Sequence, residues 1–246
     1  MAEPVTTRID LFTVPARAVP GALTRMATTR VALRREADLG FRKLLGTGDG
    51  RTFDARDADL RRWGFLTVWP SAHAAAAFAR RGGALRGWRR VAIEHWWVTL
   101  ATLRATGTWS GRQPFGEGTR DAGDGRAGRR DMRDPGDGAV VALTRARLRW
   151  QRAPRFWRAV PAVNADLASR GGLLLRMGIG EAPLGLQGTL SVWRDAEALR
   201  AFAYRAPPHR DVIRRSQDER WYAEELFARF AVRDHGGTIF GTDPLA

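Results

Sequence analysis

Cysteine is absent from the 246-residue chain. That removes disulfides, cysteine nucleophiles, thiolate zinc sites, iron–sulfur clusters and thiolate-ligated haem together. It also fits a reducing cytoplasm, the expected location. No stretch approaches the roughly 18 uncharged apolar residues of a membrane-crossing helix. The N-terminal MAEPVTTRID has no basic start followed by an apolar run, so no secretory signal is expected there. HExxH, GxSxG and clustered metal-ligand spacings are all missing, which leaves hydrolase and zinc-enzyme readings without support. Gly46-Thr47-Gly48-Asp49-Gly50 lacks the spacing of a phosphate-binding loop and reads as a strand end.

Lysine is almost missing too. Lys43 is the only one among 41 cationic residues, so arginine supplies the other 40 and the net charge of +15. So lopsided a ratio, with abundant alanine and glycine, reads as the product of a GC-rich genome rather than of selection for a nucleic-acid partner. No specific nucleic-acid role is expected. Peripheral contact with an anionic membrane surface remains an expectation of the charge. Hydrophobic residues make up 44%, enough to build a core and to exclude wholesale disorder.

Glu117–Gly138 is almost pure Gly, Arg and Asp, with Met132 its one large apolar residue. It cannot offset the entropy of folding by burial and reads as a flexible linker. It separates residues 1–116 from 139–246, and the two parts resemble each other. Gly64–Ala79 (GFLTVWPSAHAAAAFA) and Gly188–Ala203 (GTLSVWRDAEALRAFA) agree at 9 of 16 positions at an offset of 124, including Trp69/Trp193 and Phe78/Phe202. Trp97 and Trp221 keep that offset, and Gly46-Thr47-Gly48-Asp49 matches Gly178-Ile179-Gly180-Glu181 at 132. An internal repeat follows.

In the second copy Val140–Arg149 alternates apolar and polar residues as a strand does, and Ala153–Ser169 has helical spacing interrupted by Pro161. Gly172–Gly180 and Leu186–Trp193 read as strands. Asp195 caps a helix carrying Leu199 and Phe202, a further helix runs from Pro207-Pro208 towards Glu225, and the last strand covers Leu226–Asp234. Glu224-Glu225 therefore reads as a solvated pair on a helix. The order is that of a ferredoxin-like βαββαβ unit. The expected fold is α+β, with tandem ferredoxin-like units burying their bare sheet faces against each other in a dimeric-α+β-barrel-like structure within one chain.

Several longer phrases carry a resemblance: Ala142-Leu143-Thr144-Arg145-Ala146, Phe156-Trp157-Arg158, Gly178-Ile179-Gly180-Glu181-Ala182-Pro183, Leu190-Ser191-Val192-Trp193, Ala201-Phe202-Ala203-Tyr204 and Trp221–Phe230 (WYAEELFARF). On these the chain is similar to the spheroidene monooxygenase family of carotenoid biosynthesis, most clearly from Ala139 onward. The Gly/Arg/Asp-rich insert departs from that pattern. The resemblance implies a dimeric α+β barrel and oxygenation of an acyclic carotenoid. It also implies dioxygen, an electron donor such as ferredoxin, and haem as cofactor.

With cysteine gone, a haem ligand is sought among His73, His95, His209 and His235, then Tyr204 and Tyr222, then the methionines. His209 is preferred: it follows Tyr204 and Pro207-Pro208, and the resemblance implies a histidine after AFAY. Arg214 and Arg215 would pair with propionates. Trp193 and Trp221 would wall an apolar pocket, or simply pack in the core. His95 reads as a boundary residue before a buried strand, His73 as a surface residue and His235 as a turn residue. The alternative functions are a cofactor-independent α+β barrel oxygenase, a non-catalytic binding protein of the same fold, and a basic surface protein binding nucleic acid or membrane.

Overall fold

The computed structural model describes residues 3–49, 57–116, 138–149, 151, 171–181, 188–205, 219 and 221–246. The first half runs β1 (Thr6–Thr13), α1 (Val19–Arg34), β2 (Phe41–Gly48), β3 (Ala58–Trp69), α2 (Ala72–Arg81), α3 (Gly83–Arg89) and β4 (Glu94–Gly107). The second runs β5 (Val140–Leu148), β6 (Leu173–Gly180), β7 (Gly188–Trp193), α4 (Ala196–Arg205) and β8 (Tyr222–Gly237). The expected helix over Ala153–Ser169 and the linker up to residue 137 lie outside the described residues.

Each half contributes four antiparallel strands in matching order, β4-β1-β3-β2 and β8-β5-β7-β6, as ferredoxin-like units require. Antiparallel pairing of β2 with β6 and of β4 with β8 joins the halves into one closed eight-stranded barrel. Closure pairs every strand on both sides, extensively between β4 and β8 but only over Gly46–Gly48 and Gly178–Gly180 between β2 and β6.

The two-residue side-chain period sorts the strands into two layers. Ile9, Leu11, Leu66, Val68, Trp96, Val98, Leu100, Val141, Leu143, Met177, Ile179, Leu190, Val192, Leu226 and Phe230 point inward and fill the barrel. Residues of the opposite phase point outward under the helices. In the first half Phe12, Leu44, Trp63, Phe65 and Trp69 pack against Phe78, Leu85 and Trp88. In the second, Val140, Ala142 and Trp193 pack against Ala196, Leu199 and Phe202 of α4. The expected cap at Asp195 is present, its Oδ1 accepting from the Ala198 amide at 2.7 Å, and Ser71 Oγ caps α2 in the same way, accepting from the Ala74 amide at 3.1 Å.

Two sequence expectations are corrected here. The stretch before Glu225 is strand from Tyr222 onward, so Glu224 and Glu225 lie on β8 and face opposite sides of the sheet. Trp97 and Trp221 are not equivalent: Trp97 lies within β4 and Trp221 precedes β8. The true match between these strands has an offset of 130. Gly107 pairs with Leu226 just as Gly237 pairs with Trp96. The offset of 124 holds for Gly64–Ala79 with Gly188–Ala203, and a segment six residues longer before β8 than before β4 shifts it to 130.

Beyond those glycines each half ends in a tail, Thr108–Gly116 and Thr238–Ala246. Both turn tightly, with mutual Trp109/Arg112 and Ile239/Thr242 backbone bonds. Each tail drives an apolar anchor, Trp109 or Ile239, into the barrel core. Gly107 (φ +85) and Gly237 (φ +82) start the tails, and a Cβ there would lie 2.1 Å from the Glu225 carbonyl oxygen and 1.8 Å from that of His95. Only glycine permits both the left-handed backbone and the close crossing. Gly237→Ala is therefore expected to destabilise the barrel by about 2 kcal/mol or more, read as a fall of roughly 5 °C or more in Tm by thermal denaturation.

Candidate active site

Placement of the candidate residues comes first. His209, Arg214 and Arg215 lie outside the described residues. Tyr204 is on α4, but its side chain is also outside them. Trp193 is fully buried; its ring stacks on Phe202 at 5.5 Å and its Nε1–H donates to Ser191 Oγ at 2.9 Å. Trp69 does the same in the first half, with Phe78 at 4.7 Å and Thr67 Oγ1 at 3.0 Å. Trp221 is buried, and its Nε1–H donates to Glu219 Oε2 at 2.9 Å.

Among the remaining histidines, His73 is exposed on α2. His95 lies on β4: Nε2 is 2.9 Å from Asp10 Oδ1 and the ring stacks on Phe12 at 4.2 Å. Asp10 is fully buried and accepts from Arg8 Nε and Nη2, both at 2.8 Å, while the Arg8 guanidinium lies over Trp97 at 4.5 Å. Burial alone would raise the Asp10 carboxyl, but His95 and Arg8 hold it below the usual carboxylate range. His235 is in strand β8 rather than in a turn, with Nδ1 3.0 Å from Asp243 Oδ2. The following Gly236-Gly237 extends the strand to its crossing with β4 instead of turning it. No group of three or more metal-ligating side chains occurs among the described residues.

One barrel mouth concentrates buried charge. Arg145 on β5 pairs through Nη1 with Glu224 on β8 and through Nη2 with Glu181 at 3.1 Å. Lys43, the sole lysine, donates to Glu181 Oε2 and to Ser110 Oγ, both at 2.6 Å. The first tail closes over this network. Trp109 Nε1–H donates to Glu181 Oε1 at 2.6 Å, and the Gly111 amide to Glu224 Oε1 at 2.7 Å. Burial would raise the Glu224 carboxyl, but the Gly111 amide, the Arg145 guanidinium and the Ser110 amide hold it down to about 2. Glu181 is lowered too: Lys43, Trp109 and Arg145 overcome its desolvation. Both carboxylates are thus ionised acceptors at neutral pH and carry no proton to donate. The opposite mouth repeats one element of this design, with the Gly241 amide donating to Glu94 Oε1 at 2.6 Å. A groove of about 250 Å³ beside the first tail, lined by residues that include Phe41, Trp69, Arg112 and Pro114, falls below the size range of ligand pockets.

The outer faces of the two half-sheets differ. Across the first, hydrogen-bonded neighbours form the row Trp97, Asp10, Phe65, Leu44. The corresponding row across the second is Phe227, Thr144, Thr189, Gly178. Phe12 and Arg8 flank the first row on β1; Ala146 and Ala142 flank the second on β5. Large side chains therefore seal the first outer face, whereas Thr, Ala and Gly floor the second and Phe227 stands 43% exposed at its side.

Comparison with known proteins bears on this architecture. The chain is 33% identical over 229 residues to spheroidene monooxygenase of Rhodobacter capsulatus, covering 93% of this chain and 90% of that protein. It is 34% identical over 190 residues to that of Rubrivivax gelatinosus, covering 77% and 67%. The chain belongs to the spheroidene monooxygenase family. The Cereibacter sphaeroides relative is 30% identical over 224 residues, 91% of this chain and 65% of that longer protein. No protein-family model matches the chain. In fold, the barrel is similar to crystal structures of aldoxime dehydratase, with TM-scores of 0.60 and 0.58 at 11% identity, covering 94–95% of this chain and 80–81% of theirs.

The protein is accordingly a monooxygenase of dimeric α+β barrel architecture built within one chain. The phrases that carry the family resemblance supply the charge cluster at this mouth: buried Arg145 from ALTRA, exposed Glu181 from GIGEAP and Glu224 from WYAEELFARF. Reading Glu224 as a solvated helix residue missed a carboxylate that Arg145 and the Gly111 amide hold at the barrel mouth. A signal was present in the tails, where Gly107-Thr108, Gly111 and Pro114 recur as Gly237-Thr238, Gly241 and Pro244.

Because Glu224 is lowered in the folded state, its stabilisation is complete above the ordinary carboxylate value and is lost as pH falls towards about 2. Glu224→Gln is expected to cost about 2–4 kcal/mol at pH 7, since it removes the buried one of the two carboxylates that pair with buried Arg145. In denaturant unfolding, the gap from the unaltered protein should narrow as pH falls from about 4.5 to about 2.

Proposed function

We propose that this monooxygenase is haem-dependent and oxidises an apolar, carotenoid-like polyene with dioxygen and electrons from an external donor such as ferredoxin. The cofactor would lie on the outer face of the second half-sheet. The observation that carries this is the contrast between the two outer faces: Trp97, Asp10, Phe65 and Leu44 fill the first, and Phe227, Thr144, Thr189 and Gly178 leave room for a flat ligand on the second. The names of the curated relatives support a carotenoid substrate.

The residues present fit a haem. Without cysteine, the axial donor falls to histidine or tyrosine. His95 and His235 are bonded to Asp10 and Asp243, and His73 is exposed on the helix layer of the first half. His209 follows the end of α4 by four residues, a reach of at most about 14 Å of chain. α4 in turn packs on the second outer face through Ala196, Leu199 and Phe202. We assign His209 as the ligand, with Tyr204 as a further cofactor contact and Arg214 and Arg215 as partners for the propionates. Haem, when bound, supplies the activation of dioxygen. The protein's own part is to hold it against the small-residue floor and to exclude water through Phe227, Trp193 and Phe202. Phe227 and the alanines of β5 offer apolar contact to a long hydrocarbon, which needs shape and dryness more than hydrogen bonds.

Titrating the purified protein with haem tests this. A Soret band is expected, lost or shifted in His209→Ala. Thr189→Phe, which installs the residue found at the matching position of the first half, should weaken haem binding at least tenfold while leaving thermal unfolding near its original midpoint. A protein that stays colourless at saturating haem sinks the cofactor; an unchanged spectrum in His209→Ala sinks only the ligand. Product analysis in a carotenoid-producing host tests the substrate.

A further inference from the structure

The barrel mouth formed by the end of β1 and the starts of β3 and β4 exposes three large apolar side chains: Leu60 at 41%, Ile93 at 58% and Phe240 at 55%. Short links bind them into one patch. The Ile93 amide donates to the Thr13 carbonyl at 2.8 Å, and Arg62 Nε donates to Thr13 Oγ1 at 3.3 Å. The Arg62 guanidinium then lies 3.9 Å from the Phe240 ring centroid. Leu60 lies two residues before Arg62 on β3, where the pairing with β2 is irregular.

Phe240 occupies a costly position. It sits at the tip of the second tail's turn with φ +56, beside Gly241 at +82. Left-handed backbone is unfavourable for a bulky residue and favours Gly or Asn. The matching position in the first tail is Ser110 (φ +57), whose hydroxyl accepts from Lys43. The second tail holds an aromatic ring there and leaves more than half of it exposed.

Cations rim the patch. Arg61 follows Leu60, Arg90 precedes Ile93 by three residues, and Arg17 lies just beyond β1; all three are exposed. The nearby carboxylates are engaged within the protein. Asp59 accepts from Arg62 Nη1 at 2.7 Å and from the Arg61 amide at 2.9 Å, and Glu94 accepts from the Gly241 amide. An exposed apolar centre with an arginine rim matches a phospholipid surface, where apolar side chains enter the acyl boundary and guanidinium groups meet phosphates.

We propose that this mouth docks on an anionic phospholipid bilayer. The geometry stands by itself; the reading of an apolar polyene substrate gives it a purpose, because such a substrate is dissolved in lipid.

The intact protein is sedimented with vesicles of mixed phosphatidylglycerol and phosphatidylcholine, and with pure phosphatidylcholine vesicles. Retention is expected on the mixed vesicles and at least tenfold weaker on the neutral ones. Ile93→Ser/Phe240→Ser and Arg61→Glu/Arg90→Glu should each lower retention on mixed vesicles about tenfold or more. Phe240→Asn, which suits the left-handed turn, serves as a second apolar variant should the double one fail to fold. Absence of retention, or full retention in both classes of variant, overturns the proposal. So does loss in the arginine variant alone, which would mark a general polyanion surface. Haem titration should be unchanged in these variants, so a failure of the haem reading leaves the vesicle result standing.

Discussion

Antiparallel pairing of β2 with β6 and of β4 with β8 is the constraint on which the rest of the molecule depends. A lone ferredoxin-like sheet covers one face with helices and leaves the other bare. Closing two such sheets into one barrel buries both bare faces and satisfies the edge strands at once. The interior is then committed to packing: aliphatic and aromatic side chains from all eight strands fill it. A ligand of any size is thereby directed to the outer layer or to the mouths.

The two halves use the same frame for different ends. In the first, Phe12, Phe65, Trp63 and Trp88 pack as an aromatic layer, with ring centroids 5.2–6.3 Å apart among contacting pairs. That layer fastens α1 and α3 to the sheet and makes the first half a scaffold. The second half keeps the tryptophan that ties helix to sheet, Trp193 with Ser191 and Phe202, but replaces its neighbours on the sheet with Ala, Thr and Gly. Large side chains thus fill the outer face of the first half, and smaller ones line the corresponding row of the second.

Buried charge follows the same division. Arg145, Glu224, Glu181 and Lys43 form a charge network under the first tail, drawing on strands of both halves, with Arg145 Nε alone left without a partner among its guanidinium nitrogens. Such a network contributes specificity of closure more than net stability, because desolvation offsets much of the Coulombic gain. At the opposite mouth the corresponding tail places Phe240 outward instead of a hydroxyl inward. The barrel therefore has one sealed polar end and one apolar, arginine-rimmed end.

The sequence by itself determined the strands, their alternation, the cap at Asp195, and the class of fold, because these rest on local periodicity and short-range hydrogen bonds. It also carried the family, through phrases long enough to exceed chance. It misread Glu224 and the match of Trp97 with Trp221, because a local stretch does not reveal which strand lies beside it. Only the tertiary structure brought Arg145 and Glu224 of two strands together with Glu181, which follows a third, and only register across four strands distinguished the filled outer face from the small-residue row. Those properties depend on contacts between residues far apart in the chain, whose pairing is decided by barrel closure.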